Sequence, residues 1–498
     1  MKYLLTYLVV GALILAGARF LQNKSWFLGF FFFVASALIL YFYSTQKRIP
    51  GKYLLPGLLL LFLFHIYPAF YSGYVAFTNV SNGHWLSKSQ AIDAMINDSY
   101  MPVENAAPIP FQIAKKVDND EVYLIFQYPE KTYWAGNNSN LIDLKPSEIR
   151  ISTDGKVEKL LGFQIVNVQS IVEDLGSIRV RLKDGSSLQP QDFEYLSVSR
   201  HTLIYSAKKD QITNIVTGTQ YRPDDNGQMV SQSGELLYPG WTANVGFRNF
   251  SKIANDDEIR RPLLRVLVWT VVNAFLMVTL SFLMGIALAL VMNYKHMRSR
   301  RFYRTIFITP MAVPSVISIL VWAGLFTTKT GIIDRFFHID TAWLTEATPA
   351  RIAILIVEVW LTFPYMFLIS TGAIQSIPSE ILEAAEIDGG SPFKIFRLIK
   401  LPLVLRTLSP LLVTSMAGAL NAFGVIFLLT NGAPVFSDSN GNAGATDILI
   451  SYSYKLAFNG QEGNNYSMAS ALSILNFIMV AIASIYGYRR MKTMEGLN

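Results

Sequence analysis

The segment Ile377-Pro-Ser-Glu-Ile-Leu-Glu-Ala-Ala-Glu-Ile-Asp-Gly-Gly390, continued by Ser391-Pro-Phe-Lys-Ile-Phe-Arg-Leu-Ile-Lys-Leu-Pro402, lies between two long apolar runs. Ser379 is placed to cap a helix whose first turns carry Glu380 and Glu383, acidic groups that favour a helix N-terminus. Gly389-Gly390 is expected to stop that helix, and Pro392 to prevent its resumption. A short, stopped helix of this kind suits docking into a partner's groove. It suits an ordinary amphipathic connector equally well, and the pattern alone leaves both open.

The flanking runs, Ala350–Gln375 and Thr407–Thr430, belong to a set of about eight. The others are Leu4–Phe20, Trp26–Ser44, Tyr53–Phe77, Leu263–Tyr294, Thr305–Thr327 and Met468–Tyr488. About 20 apolar residues in a helix cross a hydrocarbon core, so each run reads as a membrane span. The composition agrees: 51% of residues are hydrophobic and 15% charged, against about a quarter charged in ordinary soluble domains. The first run has a second reading, because Lys2, an apolar stretch and Ala16-Gly17-Ala18 also fit a signal peptide.

Lysine and arginine near span ends stay on the cytoplasmic side, and they set the orientation. Lys47, Arg48 and Lys52 follow the second run; Lys295, Arg298, Arg300, Arg301 and Arg304 follow the fourth. Lys394, Arg397, Lys400 and Arg406 follow the sixth, and Arg489, Arg490 and Lys492 the eighth. The alternate short loops are poor in cations: Arg19 with Lys24, Lys329 with Arg335, then Lys455 alone. Both termini are therefore expected on the cytoplasmic side of the membrane. The net charge of +7 is a topology signal and not a nucleic-acid surface.

Residues 78–262 break the apolar pattern and fall on the outer side. Turn signals at Asp154-Gly155 and Asp184-Gly185 accompany strand-like runs at Val122–Phe126 and Ile178–Leu182. The expected architecture is an all-α polytopic membrane protein with an inserted, mainly β extracytoplasmic domain. Residues 1–77 supply three spans, and 263–498 a five-helix core with a cytoplasmic loop at 376–406.

Catalytic chemistry has little to stand on. Gly51-Lys52 and Gly155-Lys156 lack the glycine loop and following hydroxyl of a phosphate-binding P-loop. His65, His84, His201, His296 and His338 are scattered, without metal-ligand spacing. There is no cysteine for a disulfide or a thiolate ligand. Glu358 stands inside the sixth run, where exposure to lipid costs about 2.5 kcal/mol or more. It faces either a polar pathway, accepting bonds from a substrate's hydroxyls, or a neighbour such as Asn273 or Trp269. Asn421 poses the same choice, with packing between helices slightly favoured.

Glu383-Ala384-Ala385, Asp388-Gly389, Ile399 and Leu401-Pro402 resemble the EAA loop of ABC importer permeases. Tyr238-Pro-Gly-Trp-Thr-Ala-Asn-Val-Gly-Phe247, Trp360–Tyr365, Leu428–Pro434 and Thr446-Asp447 are similar to MalF-type permeases of maltose transporters. The span order and the insert after the third span look alike too. The resemblance implies a non-enzymatic permease subunit of an ATP-driven oligosaccharide importer. Its partners would be a MalG-like second permease, two ATPase subunits and a soluble sugar-binding protein. No cofactor is implied in this chain, because ATP and magnesium would be bound by the ATPase. Glu383, Ala384, Ala385, Asp388 and Gly389 are the positions implied to couple to that ATPase. Leu361, Tyr365, Ser415, Gly418 and Ala419 fall on sugar-contact positions, with Glu358 and Asn421 as further candidates. The family pattern has Phe and Asn where this chain has Gly418 and Ala419, which implies a wider and less selective wall. A tyrosine ring can stack on a sugar, and its hydroxyl or that of a serine can bond one. An ion-coupled transporter would need more buried carboxylates than Glu358 alone, and a membrane-anchored receptor would leave the EAA-like loop unexplained.

Overall fold

The computed structural model describes residues 2–495 apart from 24, 45–48, 104–105, 119–120, 129–131, 153–155, 167–174, 176–177, 183–185, 295–296, 298, 440 and 459–462. Lys24, Lys47, Arg48, Lys295, His296, Arg298 and the Asp154-Gly155 and Asp184-Gly185 turn signals thus lie outside the described residues. Two compact units result: Met1–Ser81 with Asn244–Asn498, and Asn82–Ala243.

The first unit is helical. In hydrocarbon a helix satisfies its own backbone N–H and C=O groups, so each apolar run takes that form. In chain order the helices are α1 (Lys2–Gln22), α2 (Trp26–Tyr43) and α3 (Ile49–Val75), the last passing through a π turn at Phe62–Ile66. The second unit contributes α4 (Lys88–Asp98). Then come α5 (Arg248–Asn255), α6 (Asp257–Met292), α7 (Arg300–Ala312) and α8 (Ser315–Leu325). They are followed by α9 (Ile332–Phe337), α10 (Ala347–Gln375), α11 (Ser379–Ile387) and α12 (Pro392–Ala419). The last three are α13 (Phe423–Leu429), α14 (Leu449–Phe458) and α15 (Tyr466–Glu495).

Among the described residues five helices are long and apolar enough to cross a membrane: α2, α3, α6, α10 and α15. The run Thr305–Thr327, expected as one span, is two helices meeting at 94°. Val313 stands at φ −87° and ψ 130° before Pro314, because proline disfavours the helical region for the residue preceding it. The run Thr407–Thr430 is also broken, with a 40° bend between α12 and α13. If each bent pair counts as one span the total reaches seven, and α1 is a shorter apolar helix beside them. Residues 244–262, assigned on sequence to the insert, belong with the helical unit as α5 and the start of α6.

The core of this unit forms where α6, α10 and α12 meet. Ala274, Phe282, Ala289, Met366, Phe367 and Leu408 are buried together there. Gly285 makes that crossing possible: a Cβ on it would stand 2.6 Å from the backbone carbonyl carbon of Met366 and 2.7 Å from the amide nitrogen of Phe367. Between α8 and α10, Asp334 accepts bonds from the Lys329 backbone N–H (2.9 Å) and Trp343 Nε1 (2.7 Å). These bonds, the Lys329 N–H foremost, hold its carboxyl below the usual range.

The second unit is β-rich, with antiparallel strand pairing. Ile109–Lys116 pairs with Val122–Gln127 and Phe163–Val166 in the larger sheet, and its first residues pair with Tyr195–His201. A five-stranded meander runs from Leu203–Ser206 to Leu236–Leu237. The expected strand at Val122–Phe126 is present. That at Ile178–Leu182 shrinks to Val180–Arg181, whose valine packs in the core with Leu124 and Leu188.

Candidate translocation site and coupling loop

The loop after α10 folds as the glycines dictate. The Gly390 N–H donates to Ala385 O (2.9 Å) and the Gly389 N–H to Glu386 O (3.1 Å). With Gly389 at φ +77°, this is a Schellman ending, which satisfies carbonyls that the helix leaves open. Two details differ from the sequence reading. Pro378 occupies the N-cap and Ser379 is the first helical residue, without a side-chain cap bond. Pro392 does not prevent a helix; it starts α12, with Ser391 Oγ accepting from the Lys394 N–H, since proline is preorganised for the first helical turn. Glu383, Ala384, Asp388 and Gly389 are exposed and Ala385 is half-buried. Ile387 is 85% exposed and Ile381 44%, so α11 shows an apolar surface that this chain leaves uncovered.

The helices on either side carry the remaining candidates. Leu361 and Tyr365, four residues apart on α10, are both half-buried. Tyr365 packs against the core that contains Ala419 and Leu420, whereas Leu361 packs with Trp269, Ile319 and Val357. On α12 Ser415 is half-buried, Gly418 exposed and Ala419 buried. A Cβ on Gly418 would meet nothing within 4 Å, so the space beside this position is open.

Glu358 is 1% exposed, and its Oε2 accepts from Asn273 Nδ2 of α6 at 3.0 Å. Of the two neighbours named on sequence, Asn273 is the partner; Trp269 instead lies under the Arg351 guanidinium, 4.7 Å from its ring centroid. Asn421, in the turn between α12 and α13, accepts from Asn476 Nδ2 of α15 (2.8 Å) and donates to Ala417 O (3.1 Å). Glu358→Gln keeps an acceptor for Asn273 and is expected to leave stability within about 1 kcal/mol of wild type. Glu358→Leu strands the buried amide and should lose about 1–3 kcal/mol. Thermal unfolding of the purified protein measures both.

Sequence reasoning missed one ionic centre, in the loop after α13. Lys455, read there as a lone loop cation, is 8% exposed and donates from Nζ to Asp447 Oδ2 at 2.7 Å. Asp447 is fully buried and also accepts from the Gly444 N–H (2.7 Å) and Ser451 Oγ (2.8 Å). Gly432, at φ +79°, passes so close that a Cβ would stand 2.1 Å from Asp447 Oδ1 and 2.2 Å from Lys455 Nζ. The only sequence signal was a lysine flanked by apolar residues, which a surface loop does not favour. Among the described residues no three His, Cys, Asp or Glu side chains could jointly hold a metal ion.

A stopped helix between two spans, apolar on its open surface, in a bundle with a β-rich insert, fits the membrane component of a binding-protein-dependent transporter. Residues 281–491 match the family described as "Binding-protein-dependent transport system inner membrane component", and 59–139 that described as "N-terminal of TM subunit in PBP-dependent ABC transporters". Two relatives are named "Maltose/maltodextrin transport system permease protein MalF". That of Salmonella typhi is 32% identical, over 92% of this chain and 90% of its own length. That of Photorhabdus laumondii is 30% identical, over 90% and 88%. A solved chain of a bacterial ABC transporter that imports alginate is 23% identical, covers 50% of this chain and 84% of its own, and has a TM-score of 0.43. The chain belongs to the MalF family of permeases, multi-pass proteins of the inner membrane.

Proposed function

We propose that this chain is one of two permease subunits of an ATP-driven importer of an oligosaccharide, of the maltose/maltodextrin or related α-glucoside class. The observation that carries the reading is α11: an exposed helix, ended by Gly389-Gly390, joining the helices that bear Tyr365 and Ser415. Docked in an ATPase cleft, it would pass nucleotide-driven movement to both. Glu383, Ala384, Ala385, Asp388 and Gly389 would form that contact. ATP and magnesium would then be held by two copies of the ATPase, and a soluble binding protein would deliver the sugar. A MalG-like permease would complete the channel. The five long helices, the two bent pairs and α1 support eight spans. The Lys and Arg distribution supports cytoplasmic termini and an external second unit.

Within this reading Leu361, Tyr365, Ser415 and Gly418 line the sugar path, Ala419, buried in the core, backs it, and Glu358 and Asn421 brace the helices beside it. The Gly418 and Ala419 departures favour a different sugar of the same class as the second reading. Tyr365→Ala combined with Ser415→Ala is expected to lower uptake at least about tenfold, from lost stacking and lost hydroxyl bonds. The test is uptake of labelled α-glucosides and other oligosaccharides by the complex reconstituted in vesicles, with the binding protein present. Uptake unchanged in the double variant would place the path elsewhere.

A further inference from the structure

Five aromatic rings form a file that the residues above do not use. Phe423 and Phe427, one helical turn apart on α13, have ring centroids 5.0 Å apart. Tyr454 of α14 stands 5.1 Å from Phe423 and 5.3 Å from Phe427. Phe458 follows at 5.0 Å from Tyr454, and Tyr466, which opens α15, at 5.7 Å from Phe458. Among the described residues none of the five joins the apolar cores of the helical unit. Each ring contacts the next in the file. Phe458 is 53% exposed and the other four are half-buried, so the file retains open aromatic surface along its length.

Its ends give it direction. Phe423 follows Ala419 across the break between α12 and α13, and Gly418, Asn421 and Gly424 are exposed around that break. The file therefore begins four residues after Ala419 in the chain, at the α12–α13 break, and runs ring to ring to Phe458 and Tyr466.

We propose that these rings are a second, extended binding surface for the oligosaccharide, a slide leading from the outer face to the wall at Tyr365 and Ser415. The proposal rests on the importer reading. A pyranose ring has an apolar C–H face that lies on an aromatic ring while its hydroxyls stay in water. Rings set about one sugar unit apart let a chain pass from one to the next without losing contact at any step. The file also supplies stacking surface to a path that lacks an aromatic residue at Gly418.

The test uses the assembled complex in vesicles, with the binding protein and glucose oligomers from the disaccharide upward. Phe423→Leu with Tyr454→Leu keeps apolar bulk but removes two ring faces. Uptake per assembled complex should fall about twofold for the disaccharide and about tenfold for the longest oligomer, because longer chains engage more rings. This chain has no cysteine, so Phe458→Cys places a single thiol at the outer end. It should react with a water-soluble maleimide, and the longest oligomer should slow that reaction. An equal loss at every length, or no loss, would overturn the slide and leave an ordinary aromatic cluster. A thiol at 458 that never reacts would overturn it too, since lipid or a partner subunit would then cover the file. If the wild-type complex takes up no oligomer at all, the importer reading itself fails; normal uptake with an unaltered length profile removes the slide alone.

Discussion

Lys455→Met is expected to remove about 3–5 kcal/mol of stability, because it leaves Asp447 buried without its cation. Three donors surround that carboxylate, and the lysine carries the only one with a formal charge. Taking a carboxylate out of water is strongly unfavourable, and a missing partner cannot be replaced by solvent at a site with no exposure. Adding Asp447→Leu should restore a substantial part of the loss, since removing both charges is far milder than removing one. The measurement is thermal unfolding of the purified complex, together with the yield of assembled complex. If the single and double variants unfold alike, the pair is not what holds Gly432 and Gly444 against α14.

Gly389→Val should reduce sugar uptake at least about tenfold while the protein still inserts and assembles. A Cβ at 389 would meet nothing within 4 Å, so crowding is not the reason. The reason is φ +77°, a region that β-branched residues enter at a cost of about 1–3 kcal/mol. The last turn of α11 would relax to escape it, and the Schellman bonds to Ala385 and Glu386 would open. Gly389→Asn is the informative control, because asparagine tolerates left-handed dihedrals and should keep most of the uptake. Binding-protein-stimulated ATP hydrolysis and transport, measured on the same vesicles, show whether the two have come apart. Normal coupling in the valine variant would remove α11 from the docking role.

The sequence was most legible where one physical rule dominates. Apolar run length placed the long helices, and the glycine pair placed the end of α11. A buried carboxylate in an apolar run pointed to a polar neighbour, and Asn273 is there. Legibility failed where two rules compete. Thr305–Thr327 is apolar enough to read as one span, yet Pro314 acts on Val313 and turns the chain; hydropathy averages over that turn. Ser379 is a good cap by composition, but Pro378 fixes the backbone first. Lys455 and Asp447 are eight residues apart in sequence and pair where Gly432 and Gly444 close on the start of α14, which no local pattern encodes. The candidate sugar-contact positions came from resemblance and not from periodicity. Spacing shows only that Leu361 and Tyr365 share a face, and the two pack into different cores.

The crossing at Gly285 carries a mechanical consequence. With no room for even a methyl group between α6 and the backbone of α10, the two helices meet backbone to backbone there, and a sideways shift of one would press on the other. The end of α10 runs on through Ser376–Pro378 into α11, and Tyr365 sits on the same rigid arm. If α11 docks as proposed, thrust applied there would reach Tyr365 through Ser376–Pro378 and the last turns of α10. The chain changes direction at Val313-Pro314 and Leu420–Ala422, where α8 and α13 depart from the axes of α7 and α12 by 94° and 40°.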